Sequence, residues 1–236
     1  MQNNLIEEVA FAARVSNPAN QNNHETDERL IRYLMRNQHW SPFEMVSVCL
    51  EIKTTRDIAR QILRHRSFSF QEFSQRYAAV DMDAFVIREA RLQDTKNRQN
   101  SIETDDDIIQ AEWLRRQDKL LDEIADTYEW ALIKGIAKEQ ARCVLPEGMT
   151  ASTMYMNGTL RSWIHYIQLR SANGTQKEHR EVAILCAKAI KPVFPMIMEF
   201  TNGYSEEERA REAISREHSE SDCSAESDGY SAKTNQ

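Results

Sequence analysis

The alternation of apolar and polar residues predicts a chain of helices interrupted by a few short strands. In the first third, residues 24–38 carry apolar side chains at helical spacing, and Thr26 is a candidate N-cap for that helix. Phe43–Thr54 alternates and is rich in Val, Ile and Leu, which is typical of a strand. Arg56–His65 then returns to helical spacing, so a strand is predicted to lead directly into a helix.

One long helical segment dominates the middle of the chain. Ala84–Arg88 is predicted to be a short strand, and the polar stretch Arg91–Thr104 has no clear period and is interpreted as a loop. Acidic residues at the start of Asp105–Lys138 favour a helix N-terminus. The apolar face predicted for this helix is marked by Ile109, Trp113, Leu120, Ile124 and Ala131.

The last part of the chain predicts a strand and two helices. Thr150–Met156 favours a strand, Leu160–Arg170 a helix, and Gln176–Glu199 a helix that stops or kinks near its prolines. The sum is an α+β fold with helices packed on a small, mostly antiparallel sheet and a long central helix.

Beyond Phe200 the composition changes. The sequence becomes rich in Ser and Glu and has few large apolar residues. We therefore predict one domain over residues 1–204 and a flexible acidic tail over 205–236. Within that tail, residues 206–218 are compatible with a polar helix and 219–236 are expected to be disordered.

The bulk composition is that of an ordinary globular domain. The chain has 236 residues, of which 41% are hydrophobic and 28% are charged. No apolar run approaches the ~20 residues of a membrane-spanning helix. Residues 1–13 lack the basic and apolar regions of a signal peptide. We therefore expect a cytoplasmic protein without a membrane contact.

Cysteine spacing argues against a metal-binding protein, and the net charge argues against a general nucleic-acid-binding protein. The four cysteines lie far apart without a CxxC pair, so no metal site is expected, and three of them lie in apolar stretches as candidate reduced core residues. The net charge is −7, most of it from the acidic tail. A general nucleic-acid-binding function is therefore disfavoured, although a local basic site remains compatible with the near-neutral body of the chain.

The segment Arg64–Tyr77, with the sequence RHRSFSFQEFSQRY, concentrates arginine, serine and aromatic residues. From Arg56 to Tyr77 the sequence contains five arginines but only two acidic residues, Asp57 and Glu72. Arginine presents a planar fork of donors that suits phosphate and carboxylate, and serine hydroxyls and loop amides complete such sites. The residues alone predict either an anion- and ring-binding loop, a solvated basic face or a nucleic-acid contact.

The arrangement of Arg64, His65 and Arg66, seven further residues and Ser74 resembles the signature of the flavin-dependent thymidylate synthases. Further segments resemble elements of that family in the same order, and the resemblance covers residues 5–200. These segments are Ala12–Ser16 (AARVS), His39–Glu44 (HWSPFE), Ala59–Gln61 (ARQ), Ala141–Pro146 (ARCVLP), Leu160–Ser162 (LRS), Leu169–Arg170 (LR) and Gln176–Glu178 (QKE).

This resemblance implies the reductive methylation of dUMP to dTMP in de novo dTMP synthesis. FAD would be the cofactor, and NADPH and 5,10-methylenetetrahydrofolate would be co-substrates. The family uses no cysteine nucleophile, and its members are homotetramers with active sites built from several subunits. Residues 1–204 would then be the catalytic domain.

The resemblance also implies roles for individual residues. Arg170 would be catalytic, because a guanidinium beside the uracil stabilises negative charge at N3 and O2 and makes carbon 5 more nucleophilic. Arg76 and the amides around Ser74 would hold the phosphate, and Arg142 would reach the nucleotide from a different subunit from the Ser74 loop. The dUMP-binding set is Gln61, Arg64, Glu72, Ser74, Gln75, Arg76, Arg142 and Arg170. The FAD-binding set is Ser41, Glu44, Arg64, His65, Arg66, Glu72, Thr159, Arg161 and His165.

Some positions depart from the family pattern. Met45 stands where His is common, Thr159 where many members have Asn, and the residues around Gly174 lack the His often found before Ala-Gln. No Gly-rich dinucleotide fingerprint is present, so NADPH is not expected to bind through a Rossmann unit. His179 lies among charged residues of a helix, and the sequence gives it no special role.

Three alternatives to this function are left open by the residues. A nucleotide- or nucleic-acid-binding protein without catalysis would show strong salt dependence and bind no flavin. A different flavoenzyme acting on a nucleotide would share the anion site but would not need Arg170 near the ring. A purely structural role of Asp105–Lys138 in oligomerisation would leave the arginine signature unexplained.

Overall fold

A three-stranded antiparallel sheet with helices packed around it forms the centre of the protein. The computed structural model describes residues 4–81 and 84–202. Helices in this part of the chain are α1 (Leu5–Ala13), α2 (Asp27–Arg36), α3 (Arg56–Ile62), α4 (Asp107–Ile133), α5 (Lys138–Ala141), α6 (Leu160–Arg170) and α7 (Lys177–Ile190). Strands are β1 (Ser47–Thr55), β2 (Ser69–Glu72), β3 (Arg91–Gln93), β4 (Ser101–Glu103) and β5 (Ala151–Thr159). Short 3₁₀ turns occupy Pro18–Asn20, His24–Thr26, Ser41–Glu44, Arg142–Val144 and Pro195–Phe200.

The central sheet has the strand order β1-β5-β2, so β5 is hydrogen-bonded on both sides. The register of β1 and β5 runs from Ser47 opposite Thr159 to Thr55 opposite Ala151. On the other side of β5, β2 is aligned with Asn157 at one end and Met154 at the other. Strands β3 and β4 form a separate antiparallel hairpin. The α+β prediction with a small antiparallel sheet is confirmed.

The core lies between the sheet and the helices α1, α2, α6 and α7. Helix α6 buries Leu160, Trp163, Ile164 and Ile167, whose i, i+3, i+4, i+7 spacing places them on one face. Alternate residues of β5, including Met154, point into the same core. Each large apolar side chain buried in this way contributes about 1.5–3 kcal/mol, so α6 is held firmly beside the sheet.

The long helix is confirmed, with cap residues that explain its ends. The Asp106 side chain accepts from the amides of Ile108 and Ile109 at the N-terminus. After the C-terminus, Gly135 adopts a positive φ of 76°, which suits glycine. The predicted apolar face is only partly correct: Ile109, Trp113 and Leu120 are 41–48% exposed, and the most buried positions are Gln117, Leu121, Tyr128 and Ala131.

Most of the remaining element predictions are confirmed. Helix α2 is preceded by the 3₁₀ turn at His24–Thr26, helix α3 ends at Ile62, and α7 stops at Ile190, before the prolines. Strand β5 and helix α6 lie at their expected places in the chain.

Several local predictions are wrong. Residues 84–88 make an isolated bridge from Phe85 to Thr150 instead of a strand, and the expected loop 91–104 contains the hairpin of β3 and β4. The strand predicted from Phe43 begins at Ser47, because Pro42 belongs to a 3₁₀ turn. Thr26 is the N-cap residue of α2, as predicted, but its hydroxyl accepts from Arg14 and makes no capping hydrogen bond to the helix.

Four further findings concern the first helix, the cysteines, the extent of the compact unit and the hydropathy of the helices. Helix α1 was not predicted. Of the three described cysteines, Cys186 alone is buried, whereas Cys49 and Cys143 are exposed. The described residues up to Thr201 make up one compact unit; the tail predicted for 205–236, with its polar helix at 206–218, lies outside the described residues. Among the residues that are described, no helix combines the length and apolarity needed to cross a bilayer.

Candidate active site

The arginine-rich turn Arg64–Phe68 joins α3 to β2 and lies against the start of α6. Thr159 is the N-cap of α6 and accepts from the amide of Ser162 at 3.3 Å. The Ser162 hydroxyl donates to the carbonyl of Ser67 at 3.3 Å, which ties the turn to the helix. Arg64 and Arg66 are exposed on this turn. The turn is therefore fixed in position while its two guanidinium groups face outward.

His65 and Arg170 are brought into direct contact, although they are far apart in sequence. Nε of Arg170 donates to Nε2 of His65 at 2.8 Å. Burial, Arg170 and Arg64 together lower the pKa of His65 to about 4, so its ring is neutral near pH 7 and Nε2 can accept. The contact orients the Arg170 guanidinium at the edge of the turn and leaves its other donors available.

A group of polar side chains surrounds this pair; we call Gln61, His65, Tyr166, Arg170 and His179 the histidine cluster. The rings of His65 and Tyr166 meet edge to face at 4.9 Å. His179 lies 3.2 Å from both Gln61 and the Tyr166 hydroxyl, measured from Nδ1 and Nε2 respectively. Burial raises the pKa of Tyr166 well above its usual range, so its hydroxyl stays protonated. The sequence missed His179 and Tyr166 because their contacts come from tertiary packing.

The Ser74 loop, residues 74–77, follows the other end of β2. It turns back through a hydrogen bond from the amide of Tyr77 to the carbonyl of Ser74 at 3.1 Å. Gln75 is 5% exposed, and its Nε2 is a buried donor for which the described residues offer no acceptor. An unpartnered buried donor costs free energy, so a ligand or a neighbouring chain is the natural acceptor.

The segment that carries Arg142 lies beside the Ser74 loop within the same chain. Nζ of Lys138 donates to the carbonyl of Tyr77 at 3.0 Å, and Arg76 lies 3.6 Å from Glu139. Arg142 follows directly after α5 and is half-buried. The Arg142 segment and the Ser74 loop are thus neighbours within one chain, and the expectation that Arg142 reaches the nucleotide from a different subunit stays a prediction.

Glu72 holds the end of β2 and lies between the two groups. Its Oε1 accepts from Oγ of Ser152 at 2.7 Å and lies 3.4 Å from Nη1 of Arg56. Strand β2 has four residues, Ser69–Glu72, and measures about 10 Å from its first to its last Cα. The histidine cluster and the Ser74 loop therefore lie at opposite ends of β2 within one chain.

The remaining FAD candidates form a third group beside the N-terminal half of α6. Nη1 of Arg161 lies 2.5 Å from Oε1 of Glu44, which follows Ser41 in the same 3₁₀ turn. The His165 ring meets Trp40 edge to face at 5.2 Å. Burial and Arg161 lower the pKa of His165 below its usual value, which favours the neutral ring. Ser41, Glu44, Arg161 and His165 are thus brought together, and their role in FAD binding stays a prediction.

The donor set fits an anionic, ring-bearing ligand. In the described part of the chain, Arg64, Arg66 and Arg142 make no salt bridge with a carboxylate, so their donors are available to phosphate groups. Gln75 adds an unused buried donor. No group of three or more His, Cys, Asp or Glu that could hold a metal occurs within residues 4–81 and 84–202.

Two grooves lie elsewhere on the chain. One, of about 810 Å³, is lined by Val86, Val182 and Leu185. The other, of about 570 Å³, lies between the β3–β4 hairpin and Trp113 of α4. Neither is lined by the arginines of the Arg64–Phe68 turn. The arginine-rich turn is therefore outside both of these concave surfaces.

Residues 2–196 match the family model described as "Thymidylate synthase complementing protein". The chain is 52% identical over 195 residues to a probable flavin-dependent thymidylate synthase of Paramecium bursaria Chlorella virus 1, which covers 83% of this chain and 89% of that protein. It is 48% identical over 189 residues to the flavin-dependent thymidylate synthase of Synechocystis, which covers 80% of this chain and 86% of that protein.

A solved structure of a nucleotide methylase is also similar to this chain. The fold is similar to that of a UMP/dUMP methylase from Streptomyces cacaoi bound with 5-Br dUMP, with a TM-score of 0.71 and 30% identity. The similarity covers 83% of this chain and 89% of that chain.

Proposed function

The chain belongs to the flavin-dependent thymidylate synthase family, and from that premise we propose how its residues carry out the methylation of dUMP to dTMP. The observation that carries the proposal is the contact of Arg170 with a neutral His65 beside the Arg64–Phe68 turn. This arrangement provides a fixed cation next to an arginine-rich turn, as recognition of a nucleotide requires.

We assign the phosphate of dUMP to the Ser74 loop. Arg76 and the loop amides supply donors for the phosphate oxygens, and Gln75 supplies the buried Nε2 that has no acceptor among the described residues. Arg142, in the segment beside this loop, adds a second guanidinium group. Glu72 remains part of the dUMP and FAD sets, with its carboxylate oriented by Ser152 and Arg56.

We assign the uracil ring to the histidine cluster. The guanidinium of Arg170 stabilises negative charge that develops at N3 and O2, and this makes carbon 5 a better nucleophile. His65 holds the guanidinium through Nε2 and adds no positive charge of its own, because its pKa lies near 4. Gln61 and Arg64 complete the set of ring and sugar contacts.

FAD is held, in this proposal, by Ser41, Glu44, Arg64, His65, Arg66, Glu72, Thr159, Arg161 and His165. When bound, the flavin supplies the electrons that reduce the transferred one-carbon unit to a methyl group. NADPH and 5,10-methylenetetrahydrofolate are the co-substrates that supply the electrons and the one-carbon unit, respectively. The guanidinium groups of Arg64 and Arg66 orient the anionic portions of these ligands, whereas the side chains of Thr159 and Ser162 keep the turn in position.

The chemistry does not require an enzyme thiol. Cys186 is buried, and burial raises the pKa of its thiol to about 12, so it is protonated at neutral pH. Cys49 lies on β1, and Cys143 lies beside Arg142. A cytoplasmic location belongs to the same proposal, since the substrates are charged metabolites that do not cross membranes unaided.

We propose further that the protein is a homotetramer whose sites are shared between subunits. The histidine cluster includes residues that precede β2, and the Ser74 loop follows β2 within one chain, so a second chain can bring a Ser74 loop to each histidine cluster. Helix α4 supports association, because Trp113, Trp130 and Ile133 expose 44%, 54% and 75% of their surface.

An absorption spectrum of the purified protein tests the function directly. We expect a flavin spectrum that bleaches when NADPH is added anaerobically with dUMP. It should recover as dTMP forms after methylenetetrahydrofolate is added. A colourless protein that neither takes up added FAD nor makes dTMP would contradict the assignment and favour a nucleotide-binding protein without catalysis.

A further inference from the structure

His179 is a buried polar residue that the proposed mechanism leaves unused. It lies near the start of α7, and none of its surface is exposed. Its Nδ1 lies 3.2 Å from Oε1 of Gln61, and its Nε2 lies 3.2 Å from the Tyr166 hydroxyl. Burial, Arg170 and His65 lower the pKa of His179 to about 3, so the ring is neutral and has a single N–H. One of the two contacts must therefore be donated to the ring and the other donated by it.

Hydrogen bonds connect His179 through Gln61 and Gln176 to Glu178, and the charge of Glu178 determines their direction. A carboxylate can only accept. One oxygen of Glu178 accepts from Arg91, and the other accepts from Nε2 of Gln176 at 2.9 Å. Since Gln176 points its amino group at Glu178, its Oε1 is the atom that accepts from Nε2 of Gln61 at 2.8 Å.

The orientation of Gln61 then fixes the tautomer of His179. Because Nε2 of Gln61 donates to Gln176, its Oε1 faces Nδ1 of His179 and needs a donor there. The single N–H of the ring is therefore on Nδ1, and Nε2 accepts from the Tyr166 hydroxyl. All the hydrogen bonds run in one direction, from Tyr166 to Glu178.

We propose that His179 is a positioning residue for the nucleotide, because its Nδ1–H holds the Gln61 amide in one orientation. The proposal rests on the proposed function, in which Gln61 contacts dUMP. A reversed amide exchanges a donor for an acceptor at the same place, so a nucleotide bound to one orientation loses a hydrogen bond in the other. Glu178 sets the direction of the hydrogen bonds through Gln176.

The test compares His179→Asn with His179→Leu in the full-length holoenzyme. Nδ2 of asparagine lies where Nδ1 of histidine does and can still donate to Gln61, whereas leucine fills the space without a donor. We expect His179→Leu to weaken dUMP binding about tenfold in calorimetry, and to raise KM for dUMP more than it lowers kcat. His179→Asn should bind dUMP almost like the wild type, although Tyr166 loses its acceptor in both variants.

For a residue that served only the packing of the core, dUMP affinity would follow melting temperature, whether or not the variant keeps a donor to Gln61. Equal weakening in both variants, or wild-type affinity in His179→Leu, would overturn the proposal. Failure of the wild-type protein to make dTMP would instead refute the proposed function, so the two failures are distinguishable.

Glu178→Gln tests the same network without altering the buried ring. Arg91 can only donate, so the new amide must turn its carbonyl to Arg91 and its amino group to Gln176. That reverses Gln176, then Gln61, and moves the His179 proton to Nε2. We expect dUMP binding to weaken about tenfold while FAD content is unchanged. Unchanged dUMP affinity in this variant would also overturn the proposal.

Discussion

Arg170 shows how a single residue acquires a role from a contact that the sequence does not display. The resemblance suggests the residue, but only the fold brings its Nε within 2.8 Å of Nε2 of His65. The histidine acts as an acceptor because its pKa is near 4. A protonated ring would instead repel the guanidinium, and the orientation of Arg170 would be lost.

Replacing Arg170 with alanine is expected to lower kcat for dTMP formation by at least about 10²-fold, the usual effect of removing one donor that stabilises developing charge. Arg170→Lys should retain part of the rate, since it keeps the charge and loses the planar fork. Initial rates of dTMP formation at saturating substrates provide the measurement.

The matched control for Arg170 is Arg32→Ala. Arg32 makes an exposed ion pair with Glu199 far along the chain, and such pairs contribute little to stability. This variant should keep the wild-type rate and melting temperature. A normal rate in Arg170→Ala, with flavin bound, would refute the role given to Arg170.

The pH dependence of stability is a second prediction for a single residue. The pKa of His179 is about 3 in the folded chain, against an ordinary value of 6.5, so the unfolded chain binds a proton that the folded chain excludes. His179 therefore leaves the free energy of unfolding unchanged above about pH 6.5 and lowers it as the pH drops toward 3. The difference in melting temperature between the wild type and His179→Asn should therefore shrink as the pH is lowered from about 7 to about 5. A constant difference would contradict a buried neutral ring.

Strands and helices were largely predictable wherever a local pattern determines them. β5 and α6 follow from alternation and helical spacing, and the Asp106 cap lies at the predicted acidic start of α4. The hairpin at 91–103 could not be predicted, because its strands are three residues long and largely exposed. The buried face of α4 was misassigned for a related reason, since Gln117 is buried through hydrogen bonds to the backbone of Arg88.

The same limit applies to the candidate site. The motif residues Ser41, Glu44, Arg161 and His165 could be predicted and do lie together. His179 could not, because its neighbours on the helix are charged and its polar partners come from α3 and α6.

Gly158 shows how one strand position controls the arginine-rich turn. A Cβ at this residue of β5 would lie 2.4 Å from the ring of Phe68, the last residue of the turn. The ring cannot move freely, because it packs edge to face on Trp163 at 4.9 Å. We expect Gly158→Ala to displace the turn and to lower both FAD content and melting temperature, measured by absorbance and by thermal denaturation.

The control for this prediction replaces Phe68, whose ring the added methyl group at residue 158 would contact. Phe68→Leu makes room beside Gly158, so the double variant Gly158→Ala/Phe68→Leu should bind more FAD than Gly158→Ala alone. If the double variant is no better than the single one, the steric explanation is wrong.

At the scale of the whole molecule, the separation of the histidine cluster from the Ser74 loop predicts subunit complementation. Arg170→Ala and Arg76→Ala are each expected to be inactive as homo-oligomers. When they are dissociated together and reassembled, some sites will combine an intact histidine cluster from one chain with an intact Ser74 loop from the other. We expect dTMP formation to return in the mixture, and to stay absent when the two proteins are mixed without exchange of subunits.

Arg142 makes the complementation experiment decisive for the architecture. Its segment contacts the Ser74 loop within one chain through Lys138 and Glu139, so Arg142→Ala and Arg76→Ala damage the same part of each subunit. Mixing these two variants should therefore not restore activity, whereas mixing Arg142→Ala with Arg170→Ala should. Recovery with Arg76→Ala would show that Arg142 reaches the nucleotide from a different subunit from the Ser74 loop. No recovery in any mixture would mean that each chain builds its site alone, and the shared-site proposal would fail.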